Sequence, residues 1–177
     1  MERIYKLVEL PFWLNQKIDA LYTHLCRYYL TYILGLMAYW LFALNFTLSV
    51  NLSVSLPDHL YLVQKGVLPK RGEYVAISYG NDFIYFKGTQ MIKRCEGVSG
   101  DMITSKDRKY YVNGKFMGEA RTLTTQGNPI QELGYNGHIP AGHYYLKADH
   151  LKSFDSRYAA IGLVPSSWII GRAFPLF

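Results

Sequence analysis

The chain has 177 residues, half of them apolar and only 18% charged, with 16 tyrosines. That length holds one modest domain plus an added segment. The formal net charge is +6; the basic residues are scattered rather than gathered in a stripe, which argues against a nucleic-acid-binding face.

Residues 1–28 carry Arg3, Lys6, Lys17 and Arg27, and Ile18, Leu21, Tyr22, Leu25 and Tyr29 recur at helical spacing. This predicts a cytoplasmic amphipathic lead-in. From Tyr28 to Pro57 no residue is charged, a run of 30. A bilayer core about 30 Å thick needs ~20 helical residues, so residues 29–48 read as a transmembrane signal anchor. A cleaved secretory signal fits less well, because the charged leader would be 27 residues long. No Lys or Arg follows the run until Lys65, and this bias places the N-terminus in the cytoplasm and residues 49–177 outside. Residues 28–177 hold 15 Lys and Arg against 10 Asp and Glu, a balance that favours approach to an anionic membrane surface.

The apolar run gives way at Asn51–Tyr61, N-L-S-V-S-L-P-D-H-L-Y. Ser53 and Ser55 lie there two residues apart, and Pro57 fixes the departure into the next strand. Beyond it the chain reads as short strands with turn punctuation: Tyr61–Val63, Glu73–Ser78, Phe83–Phe86, Met91–Val98, Met102–Thr104, Lys109–Val112, His143–Lys147 and Ile169–Ala173. Asn113-Gly114 between strand-like residues is a hairpin signal. Residues 120–138 are polar and read as a loop or lid. No helical periodicity follows the anchor. The fold class is therefore mainly β: one N-terminal transmembrane helix, then a compact barrel-like or folded-over sheet.

Cys26 and Cys95 fall on opposite sides of the expected membrane and should not pair within one chain. Cys95 reads as a buried structural thiol. None of His59, His138, His143 and His150 sits in a recognisable triad motif, and HExxH, C-x-x-C and GxSxG are all absent. A serine nucleophile here needs another base. A lysine serves only when neutral. Holding one neutral at pH 7 costs about 4.6 kcal/mol from its usual pKa, unless burial lowers that pKa. Lys93, inside the apolar stretch Gln90–Cys95, is the candidate.

Three motifs occur in order: Ser55 in S-x-P; Lys93 in I-K-R-x-x-G-x-x-G-D over Ile92–Asp101; and S-F-D-S-R-Y-A-A-I-G over Ser153–Gly162. Val164-Pro165 and Gly171-Arg172-Ala173 follow. Together, over roughly residues 45–177, they resemble the type I signal peptidases, membrane-anchored serine proteases with a Ser–Lys dyad. Asn51 and the Leu60-Tyr61 pair after S-x-P are most similar to the TraF-type conjugative-transfer signal peptidases. The resemblance implies Ser55 as nucleophile, Lys93 as general base, Ser53 as an oxyanion donor, and Ser153 as the serine that orients the lysine. Asp155 and Arg157 would brace this region, with Arg94 and Asp101 as scaffold. In one place the chain departs from the pattern: Lys147-Ala148-Asp149 stands where signal peptidases usually carry Gly-Asp-Asn.

What the resemblance implies about function is a serine endopeptidase of the cytoplasmic membrane, with its catalytic domain periplasmic or otherwise extracytoplasmic and no metal or organic cofactor. It would remove leader peptides from exported precursors, above all the prepilin of a conjugative type IV secretion system, with an acyl-enzyme that water or an incoming pilin amine resolves. Its partners would be the precursor, the lipid bilayer and the conjugation machinery. The alternatives are a housekeeping signal peptidase I of broad range and a noncatalytic anchored subunit of the secretion machinery.

Overall fold

The computed structural model describes residues 11–51 and 55–177; Arg3, Lys6 and Ser53 lie outside the described residues. The chain divides into two units at Leu44/Asn45. The first contains one helix, α1 (Phe12–Asn45). Pro11 opens it: the ring offers no N–H to lose, and the Pro11 carbonyl accepts the N–H of Leu14 at 2.8 Å. Tyr28 breaks the helical dihedrals (φ −112°, ψ 15°), at the point where the charged lead-in meets the uncharged run.

Large apolar side chains along α1, among them Leu21, Leu36, Tyr39 and Trp40, are exposed. No helix among the described residues is long and apolar enough to cross a membrane. The expected span of 29–48 differs from the structure at its end, where Phe46–Leu48 belong to a strand. Three tyrosines, a tryptophan and Asn45 dilute its apolar character, and its last residues leave the helix to begin β1 (Phe46–Val50).

The second unit contains β1 and ten further strands: β2 (Leu60–Lys65), β3 (Tyr74–Ser78), β4 (Gln90–Gly97), β5 (Met102–Lys106), β6 (Lys109–Val112), β7 (Lys115–Glu119), β8 (Gly137–His138), β9 (His143–Lys147), β10 (Val164–Pro165) and β11 (Ile169–Pro175). The mainly β expectation holds for this unit. Every pairing is antiparallel. The strands form two open sheets rather than a closed barrel: seven strands in the order β1-β2-β11-β3-β4-β9-β10, and four in the order β7-β6-β5-β8. At Asn113-Gly114 both residues have positive φ (50° and 79°), the geometry of the tight turn expected between β6 and β7.

Phe83–Phe86 is not a strand. β3 and β4 already pair, with Ser78 opposite Gln90, so the chain between them has to turn back. Tyr79 and Thr89 close the neck, the Tyr79 N–H donating to the Thr89 carbonyl at 2.9 Å. Asp82 accepts the Lys87 N–H inside the loop, and Phe83, Tyr85 and Phe86 are left exposed. Residues 120–138 run mostly irregularly, as expected, apart from β8 and the isolated bridges Leu123–Pro129 and Glu132–Tyr158.

Candidate active site

Val50 pairs with Leu60, so β1 and β2 form a hairpin, and Ser55 lies between its strands in the sequence. The neck of the hairpin is tied three times. The Asn51 N–H donates to the His59 carbonyl at 2.8 Å, the Asn51 amide to the Asp58 carbonyl at 3.2 Å, and His59 Nδ1 lies 3.3 Å from the Asn51 carbonyl. Next to Ser55, Leu56 is 3% exposed and packs with Tyr61, Val63, Ala76 and Ile92. The His150 N–H reaches the Ser55 carbonyl at 3.2 Å. A buried leucine and a hydrogen-bonded neck thus hold a half-buried serine in a polar loop.

Lys93 is on β4, an interior strand of the larger sheet. Strand alternation puts Met91 and Cys95 on its face, and these pack among Val75, Ile77, Leu146 and Val164. The lysine therefore stands on an apolar surface and is only 6% exposed. Burial is the main cause of its depressed pKa, lowered to about 8; the Asp155 charge pulls the other way and Arg157 adds to the lowering. Among the described residues none donates to, accepts from or ion-pairs with its amine. Ser55 and Lys93 line one cleft of ≈ 400 Å³, with Asn51, Met91 and Phe154.

The glycines of the Lys93 motif have separate causes. A Cβ on Gly97 would come within 2.7 Å of Ile139, and Gly100 turns at φ +88°. Asp101 ends the motif as scaffold: it accepts the Val98 N–H at 2.8 Å and the Asn113 amide at 2.8 Å, and pairs with Arg71. Arg94 donates to Tyr74 Oη at 2.7 Å and lies over its ring.

The third motif is organised by one buried ion pair. Arg157 Nε and Nη2 donate to the two oxygens of Asp155 at 2.8 and 2.9 Å, and both residues are fully buried. Asp155 also accepts the backbone N–H of Arg157 at 3.2 Å and of Ala148 at 3.5 Å. The remaining Arg157 donors go to the carbonyls of Glu119, Leu151 and Ser153. Arg157 thus ties the smaller sheet to the 151–153 turn. Gly118 makes room for it, since a Cβ there would lie 2.9 Å from the guanidinium. In the departing Lys147-Ala148-Asp149 stretch, Ala148 is buried and serves through its N–H, while Asp149 faces Arg94 at 3.8 Å.

Ser153 is buried, but its hydroxyl makes no hydrogen bond among the described residues. It lines a second cleft of ≈ 450 Å³, which Ser55 also lines and Lys93 does not. The expected hydrogen bond from Ser153 to Lys93 is therefore not formed in this structure. Two residues without an assigned part line the site, and a third, Ser156, stands beside its buried ion pair in sequence. Phe154 and Tyr85 line both clefts with ring centroids 6.0 Å apart, and Ser156 receives the Leu146 N–H on its hydroxyl at 2.9 Å. In the sequence Phe154 stands out only as a neighbour of Ser153, and Tyr85 lies in the four-residue apolar run Phe83–Phe86 that reads as a strand. Cys95 is fully buried, and burial pushes its thiol up to about 12, as suits a structural thiol.

The family model described as signal peptidase, peptidase S26, matches residues 22–177. The chain belongs to that family. All three S26-like motifs fall within the matched residues. Among curated relatives, it is 28% identical over 143 residues to signal peptidase I of Pseudomonas aeruginosa, covering 62% of this chain and 49% of the relative. It is 32% identical over 91 residues to signal peptidase I V of Bacillus subtilis, covering 44% and 54%. To the probable signal peptidase I-2 of Synechocystis it is 33% identical over 112 residues, covering 62% and 48%. The chain spans about half the length of the curated relatives it matches. A solved signal peptidase I from Enterococcus faecalis aligns with a TM-score of 0.40 at 24% identity, over 59% of this chain and 96% of that one.

Proposed function

We propose that this S26 family member is a serine endopeptidase that cleaves exported precursor proteins through a Ser55–Lys93 dyad. The observation that carries the proposal is the shared cleft: Ser55 and Lys93 both line it, and the lysine is held buried with its pKa lowered to about 8. At pH 7 roughly a tenth of such a lysine is neutral, against a few parts in ten thousand for an ordinary one.

The Lys93 amine takes the Ser55 Oγ proton as Oγ attacks the scissile carbonyl. The Ser55 N–H and the Ser53 hydroxyl donate to the oxyanion, the type of stabilisation that usually supplies the largest single share of catalysis. The lysine ammonium then protonates the leaving amine, and an ester on Ser55 remains. Lys93 next deprotonates a water, which releases the acyl group; a pilin amine in place of water would close a ring. The buried, unbonded hydroxyl of Ser153 calls for a polar partner at some stage of the reaction, and we assign it to orienting the lysine amine in the substrate complex. Asp155 and Arg157 brace the turn that carries Ser153.

The exposed apolar side chains of α1 support attachment to a bilayer, with the β unit working at the extracytoplasmic surface of the cytoplasmic membrane. For the substrate, the S-x-P stretch followed by Leu60-Tyr61 favours a conjugative prepilin, and similarity to signal peptidase I relatives is equally consistent with a housekeeping enzyme. Replacing the protein by Ser55→Ala in its own cells, with the other leader peptidases left in place, separates these. Prepilin alone accumulating uncleaved is the expected result. Accumulation of many exported precursors would make the enzyme a general one. Normal maturation of every precursor would leave only a noncatalytic subunit.

A further inference from the structure

We propose that the second cleft, lined by Ser55 and Ser153, is a subsite for an acidic stretch of the peptide substrate, read by Arg121 and Lys152. The proposal rests on the peptidase assignment and adds a substrate preference to it. The β unit contains six arginines. Five of them, Arg71, Arg94, Arg108, Arg157 and Arg172, are ion-paired, whereas Arg121 pairs with no carboxylate among the described residues. Arg121 lines the second cleft, and so does Lys152, which is likewise without an ion-pair partner among the described residues. Among the described residues no Asp or Glu lines either cleft.

Arg121 is also held in place. Its N–H donates to Tyr158 Oη at 3.3 Å, and its carbonyl accepts from Arg108 Nη2 at 2.5 Å. Arg108 Nε in turn donates to the Ala120 carbonyl at 2.7 Å. The cleft floor is apolar, with Ile130 and Tyr158 buried beneath it, and a low-dielectric wall strengthens attraction between charges. Since Ser55 lines the same cleft, an acid bound there lies within a few residues of the scissile bond.

The test scans Glu, Gln and Lys through three positions on each side of the leader junction in an exported-precursor peptide. It reads kcat/KM with the full chain, and binding of the same fluorescent peptides to Ser55→Ala by anisotropy. On one side of the bond, Glu should exceed Lys by about three- to tenfold at low salt, shrinking as ionic strength rises. Arg121→Glu combined with Lys152→Glu should invert the order. Equal cleavage and equal binding of all peptides by both proteins would overturn the acidic subsite and leave the peptidase intact. Charge-selective binding without any cleavage would uphold the subsite and remove the peptidase assignment.

Discussion

Two buried cations in the same unit are treated in opposite ways. Arg157 is fully buried, ion-paired through two hydrogen bonds with Asp155 and bonded to three carbonyls. Lys93 is 6% exposed on an apolar strand face, and no described residue bonds its amine. A buried charge that is fully paired serves as framework. One left unpaired is destabilised in its charged form, and its pKa falls. The unit thus uses one cation as framework and leaves the other without a bonding partner among the described residues, as the proposed base requires.

Breaking the framework should have the largest effect. Asp155→Ala strands Arg157 in the interior and should cost about 3–5 kcal/mol, read as a fall in the denaturant midpoint at unchanged slope. Changing the unpaired cation should act in the opposite direction. Lys93→Met removes a buried charge and should stabilise the protein at pH 7 by up to about 3 kcal/mol while abolishing cleavage. The sign follows from the protons bound: the folded lysine titrates near 8 and the unfolded one near 10.5, so the penalty is full below pH 8 and relieved as pH rises toward 10.5. The stability advantage of Lys93→Met should therefore vanish over that window. A constant advantage from pH 7 to 10.5 would mean that Lys93 is ordinary in its charge.

The smallest stability effect belongs to Ser153. Its hydroxyl is buried and unbonded, so Ser153→Ala should change stability by less than about 1 kcal/mol. If it orients the lysine, kcat should fall tenfold or more with KM little changed. An unaltered kcat would leave Ser153 as a packing residue.

Much of this contrast is legible in the amino-acid sequence. β6 and β9 fall where alternation and turn residues put them, because each is bounded by Gly, Asn or Pro that leave the chain few other choices. Lys93 was singled out because a lysine in an apolar strand is conspicuous, and Asp155 with Arg157 because they stand in a motif. Local pattern misled where tertiary pairing decides. Phe46–Val50 continues an uncharged run and looks like more helix; only its pairing with Leu60–Gln64 makes it an edge strand. Phe83–Phe86 is as apolar as a strand but is the loop that two paired strands require. The second cleft was not readable at all, since it brings together segments around residues 55, 85, 121 and 153.

The pH dependence of peptide cleavage tests the dyad most directly. With Lys93 as the base, kcat/KM should rise between pH 6 and 9 on a single ascending limb with an apparent pKa about 8. A profile that is flat over that range, or one governed by a group titrating near 6.5 as an ordinary histidine does, would contradict it.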